Sequence, residues 1–90
     1  MKKTIITVVG QDQVGIIAKV CTYLAQNDVN VLNITQSITD GWFNMMMITD
    51  TNDAGKPVAQ LSDELAREGE EIGVIIKMRH EDIFKTMHRI

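Results

Sequence analysis

The stretch TIITVVGQDQVGIIAKV, residues 4–20, changes its periodicity in the middle. Thr4 to Val9 is apolar or β-branched at every position, which suits a central strand covered on both faces. Gly10 is expected to end it. From Gly15 onward, Ile16, Ile17, Val20, Cys21 and Leu24 recur at helical spacing as one buried stripe, with Lys19, Thr22 and Gln26 off it. Gln11, Asp12, Gln13 and Val14 form the turn between them. A strand that runs straight into a helix leaves the first helical N–H groups without intrahelical acceptors. Together with the positive end of the helix dipole, they favour an anion just outside the turn. Gly15 lets a ligand or a neighbouring backbone come close, and Asp12 is the expected N-cap. The same turn equally suits a bare connection with no ligand, because a lone G-x4-G is a weak signal. It is not a Walker loop, since no Lys-Ser/Thr follows Gly15.

Downstream, Asn27-Asp28 tolerates the left-handed geometry that closes a helix without glycine. Asn30 to Thr39 and Trp42 to Thr49 flank Asp40-Gly41, a strong hairpin signal. A two-residue turn there sets Thr39 against Trp42, Ile38 against Phe43, Gln36 against Met45, Ile34 against Met47 and Leu32 against Thr49. One face then carries Leu32, Ile34, Ile38, Phe43, Met45 and Met47, the expected core side. The other carries Asn33, Thr35, Ser37 and Asn44 beside Val31, Trp42, Met46 and Ile48, a patch greasy enough to predict association. Pro57 suits the start of a second helix with Val58, Leu61 and Leu65 on one face and Gly69 as its expected cap. Ile72 to His80 reads as a last strand, with Val74, Ile76 and Met78 alternating against Ile75, Lys77 and Arg79. Glu81 and Asp82 begin a short amphipathic pattern of Ile83, Phe84, Met87 and Ile90 that ends in His88-Arg89.

The order β-α-β-β-α-β plus a terminal helix predicts an α+β, ferredoxin-like fold. Its four-stranded antiparallel sheet would carry two helices on one face. One domain is expected over residues 1–90, with a core at 1–80 and a C-terminal helix at 81–90.

Bulk properties narrow the function. The chain has 90 residues, 44% hydrophobic and 23% charged, an ordinary globular balance. Its formal net charge of −3 argues against nucleic-acid binding, and Trp42 alone makes no stacking platform. No apolar run approaches a membrane span, and Gly10 interrupts the N-terminal run too early for a signal peptide. The lone Cys21 forms no internal disulfide, lies on the buried stripe and is expected to be inert, so a reducing, cytoplasmic setting fits. His80 and His88 have no companions at ligand spacing, so no metal is expected. No Ser-His-Asp or Cys-His set presents itself, no catalytic residue is assigned and no cofactor is expected. Asn33 is worth naming because its amide both donates and accepts, although an exposed strand asparagine is usually just solvated.

At Val9-Gly10-Gln11-Asp12-Gln13-Val14-Gly15-Ile16, followed by the helix and Val29-Asn30-Val31, the whole chain resembles an ACT domain. It is most similar to small stand-alone ACT proteins, in its ITVVGQDQVGI start, its Val31 to Ile34 strand and its Ile83-Phe84 tail, and also to the repeats of the glycine cleavage system repressor. The resemblance implies a non-catalytic regulatory module that binds an amino acid or related metabolite where two copies meet. It implies a homodimer or higher homo-oligomer modulating a partner or pathway. Asp12, Gln13, Val14, Gly15 and Ile16 of one copy would face Asn33 and Ile34 of the other. The chain departs from the family at Gln13-Val14, where Arg-Pro is frequent, and at Asp28, where the helix usually ends in glycine. Two alternatives stand beside it. One is an acylphosphatase-like anion-binding enzyme, which would need an arginine in the first loop. The other is an interaction or oligomerisation module without ligand.

Overall fold

A computed structural model describes residues 2–81 of the chain. Its elements are β1 (Lys3–Gln11), α1 (Ile16–Gln26), β2 (Asn30–Thr39), β3 (Trp42–Asp50), α2 (Val58–Ile72) and β4 (Val74–His80). The four strands form one antiparallel sheet in the order β2-β3-β1-β4, the ferredoxin-like arrangement. Glu81, the last described residue, is helical and half-buried. The terminal pattern of Ile83, Phe84, Met87 and Ile90 lies outside the described residues.

The core lies between one face of the sheet and the helices. Ile6, Val8, Phe43, Met45, Met47, Val74, Ile76 and Met78 meet Ile16, Val20 and Leu24 of α1 and Leu61, Leu65 and Ile72 of α2. Strand alternation supplies the first set and helical spacing the second. Ile17 reaches solvent and Cys21 is half-buried against the core. Inside this apolar layer the hydroxyls of Thr4 and Thr49 bond each other at 2.5 Å, and Thr49 also donates to the Thr4 carbonyl at 3.2 Å. Both buried hydroxyls are thereby satisfied. α1 ends with Asp28 at φ 57 and with Val29 and Asp28 donating to Leu24 and Ala25, a Schellman closure built without glycine.

Several sequence expectations are corrected. Gly10 does not end β1, which continues to Gln11. A Cβ on Gly10 would lie 2.6 Å from Val74 Cγ1, so glycine serves close strand packing there. Gly69 does not cap α2. It is buried where the helix crosses β4, and Gly73 (φ 93) is the cap, so Ile72 belongs to the helix. In the hairpin the pairs from Thr39–Trp42 to Ile34–Met47 stand in the expected register. A bulge between Val31 and Asn33 then puts Val31 opposite Thr49, turning Val31 toward the core and leaving Leu32 exposed. Ile34 and Ile38 are also 41% and 60% exposed, because β2 is an edge strand lying beyond the helix layer.

One polar network ties the two helices together. Glu64 accepts from the Tyr23 hydroxyl at 2.6 Å, from Lys56 Nζ at 2.9 Å and from Gln60 Nε2 at 3.2 Å. The Tyr23 bond above all, then those from Lys56 and Gln60, lowers the Glu64 carboxyl to about 2. Burial, reinforced by Glu64, pushes the Tyr23 phenol well above its ordinary value. A carboxylate with a depressed folded pKa stabilises above its unfolded value and loses that contribution on acidification. Melting temperature is therefore expected to fall as pH drops from about 4.5 toward about 2. Glu64→Gln should flatten this slope in melts recorded across the window; an unchanged slope would place the acid sensitivity elsewhere.

Candidate functional site

The β1–α1 turn sits against the hairpin tip. Gln11 pairs with Trp42, and the Asp12 N–H donates to the Gly41 carbonyl at 2.8 Å. Asp12 is therefore not the N-cap. That position falls to Gly15, which has φ 92 and no side-chain cap bond. A side chain at this φ would be strained, so glycine is what lets the strand reverse into α1. The first α1 hydrogen bond runs from the Lys19 N–H to the Gly15 carbonyl. The N–H groups of Ile16, Ile17 and Ala18 precede it and have no acceptor within the helix.

Beside these donors an open cleft of about 270 Å³ is lined by Asp12, Gln13, Gly15, Ile16, Ile17, Ala18, Gln36, Ile38 and Phe43. It offers donors at the helix start, a carboxylate at Asp12, an amide at Gln36 and an apolar wall at Ile38 and Phe43. A small molecule carrying both charges beside an apolar group suits this combination.

Of the residues singled out from sequence, Asp12, Gln13, Gly15 and Ile16 line this cleft together. Val14 does not, and points fully into solvent. The Gln13 amide is engaged, donating to the Ile72 carbonyl at 2.7 Å and so fastening the turn to the end of α2. Asn33 and Ile34 fall on opposite sheet faces, and the β2 residues that line the cleft are Gln36 and Ile38. Sequence reasoning assigned Ile38 and Phe43 to the core and passed over Gln36. The signal was present in the hairpin register, which places that pair at the tip nearest the glycine turn. Among the described residues no group of three or more His, Cys, Asp or Glu is placed to hold a metal ion. No described helix is long and apolar enough to cross a membrane.

The sequence profile of the ACT domain matches residues 2–79. The chain belongs to the ACT domain family. A UPF0237 protein of Bifidobacterium longum is 58% identical over 90 residues, all of both chains. Among solved structures, an ACT domain protein from Streptococcus pneumoniae superposes with a TM-score of 0.82 at 34% identity, over 92% of this chain and 93% of that one. A candidate glycine cleavage system transcriptional repressor superposes with a TM-score of 0.74 at 22% identity, over 88% of this chain and 45% of that one, a likeness of fold. ACT domains are typically regulatory, and this one has the family's glycine turn without its frequent Arg-Pro.

Proposed function

We propose that this ACT domain is a non-catalytic regulatory module that takes an amino acid or related small zwitterion in the cleft beside Gly15. The observation that carries this is the convergence, in one cleft, of the Ile16–Ala18 N–H groups, the Asp12 carboxylate and the apolar Ile38–Phe43 wall. The donors suit a carboxylate and Asp12 suits an ammonium. The first turn holds no arginine to cradle a transferred phosphoryl or acyl phosphate, which disfavours the acylphosphatase alternative. Cys21, free in this structure, fits a cytoplasmic setting where it stays reduced. Thermal-shift screening against the twenty amino acids and common metabolites tests the proposal. A ligand at a hundred times its Kd adds about 2.7 kcal/mol of apparent stability. No shift from any of them would leave the ligand-free interaction module as the better account.

The proposal includes a second copy. β2 is a ten-residue edge strand with neither charge nor proline, the kind of edge that soluble proteins ordinarily blunt. Pairing of two β2 edges centred near Thr35 and Gln36 would bring Asn33 and Ile34 of the partner subunit toward Ile38, at the mouth of the cleft. Light scattering at micromolar concentration should give a dimer or larger. A 10.1 kDa particle would contradict this. Ile34→Lys, a charge on the edge, should shift the population toward monomer.

A further inference from the structure

The turn beside the cleft is held from two sides, by two different parts of the fold. On one side Gln11 pairs with Trp42, and the Asp12 N–H bonds the Gly41 carbonyl at the hairpin tip. On the other side Gln13 Nε2 donates to the Ile72 carbonyl at 2.7 Å, across fifty-nine positions of sequence. Ile72 is the last residue of α2, so its carbonyl is one of those the helix cannot satisfy by itself. Gly73 then turns left-handed, and Val74 enters β4 opposite Gly10. Between Gln13 and the start of α1 lie only Val14, fully exposed, and Gly15 at φ 92.

We propose that Gln13 is a positioning residue for the cleft, and that its amide links occupancy of the cleft to the α2–β4 corner. This rests on the ligand reading above. The N–H groups of Ile16, Ile17 and Ala18 can meet a carboxylate only if the chain entering the helix is fixed. The Asp12 bond fixes that chain to the hairpin alone, which leaves it a hinge. The Gln13 bond adds a second point and removes the hinge. A ligand spanning the helix start and Asp12 favours the same fixed turn. Filling the cleft and closing the Gln13–Ile72 bond therefore stabilise each other, and by reciprocity a filled cleft holds the end of α2 more firmly. Gln13 is exposed, so the bond contributes little to the fold. Its loss is felt at the cleft.

The probes are the twenty L-amino acids, each titrated by calorimetry into the full chain. Gln13→Met keeps the length of the side chain and removes the donor. It should weaken the tightest binder about three- to tenfold, the net worth of one hydrogen bond. Gln60→Met removes a side-chain bond to Glu64 instead and should leave affinity unchanged. A second readout follows the bond itself. With glutamine nitrogen and isoleucine carbonyl carbon isotope-labelled, the magnetic coupling across the Gln13–Ile72 hydrogen bond should grow as the cleft fills. A merely structural role would move neither quantity. Equal affinity in folded Gly-turn-intact Gln13→Met, or a coupling indifferent to the amino acid, overturns this inference and leaves the ligand reading standing. If no amino acid binds the unaltered chain, the ligand reading fails and this inference falls with it. Should Gln13→Met fail to fold, the coupling in the unaltered chain decides.

Discussion

Gly69→Ala should destabilise the protein by about 1–3 kcal/mol, although helix propensity alone favours alanine over glycine by about 1 kcal/mol in a helix interior. The sign is decided by β4. A Cβ at position 69 would stand 2.7 Å from the Val74 carbonyl oxygen and 3.0 Å from Ile76 Cγ1. The Val74 carbonyl belongs to backbone paired with Gly10 of β1, so it cannot swing aside without disturbing the sheet. The added methyl must therefore lift α2 from β4, opening the packing around Leu65, Ile72 and Ile76. Urea unfolding measures this as a lower midpoint at unchanged m-value, and the melting temperature should fall by about 4–8 °C per kcal/mol. Gly55→Ala is the control, because nothing lies within 4 Å of a Cβ there; it should stay within about 0.5 kcal/mol. A more stable Gly69→Ala would mean that propensity outweighs the contact and that the helix sits farther from the sheet.

Gly69 also shows where the sequence stops being informative. Element order, the central place of β1 and the hairpin register were legible, since each rests on local periodicity or on the turn chemistry of Asp40-Gly41. Gly10 and Gly69 read locally as punctuation, yet both are contact glycines whose neighbour is Val74, more than sixty residues from the first. For Gly10 that neighbour lies outside any local window; for Gly69 it lies only five residues on, but local periodicity does not show that β4 folds back against this turn of α2. The bulge at Leu32 is hidden for another reason. Asn30 to Thr39 has apolar residues at both parities, so alternation does not register one extra residue.

The candidate site was half legible. The glycine turn announces itself because a strand pattern gives way to a helix pattern across it, but its facing wall does not. Ile34 and Ile38 look like core residues, and become exposed only because pairing places β2 at the sheet edge, outside the cover of α1 and α2. Asp12 looks like a cap, and is released from that duty because its own N–H is held by Gly41 while Gly15 turns left-handed. The result is an uncapped helix start beside a carboxylate. That chemistry is less stable than a capped helix and more useful to a ligand.

Gly15→Val is expected to lose ligand affinity by a factor of about a hundred or more, beyond its cost in stability. Nothing lies within 4 Å of a Cβ at this position, so the valine would project into open space at the cleft rather than into protein. Its φ of 92 strains any L side chain, by about 1–2 kcal/mol and more for a β-branched one. Strain and occupancy of the cleft must therefore be separated. Gly73→Ala is the matched control, because Gly73 has φ 93 and lines the end of α2, where its added Cβ would make only an ordinary 3.7 Å contact with Gln13. Gly73→Ala and Gly15→Ala should lose similar stability. Only substitutions at Gly15 should weaken binding, with valine worse than alanine, because Gly15 lines the cleft and Gly73 does not. Calorimetry with a ligand found by screening, on variants whose folding is verified by circular dichroism, measures the difference. Equal affinity in folded Gly15→Val and the unaltered protein would move the ligand out of this cleft altogether.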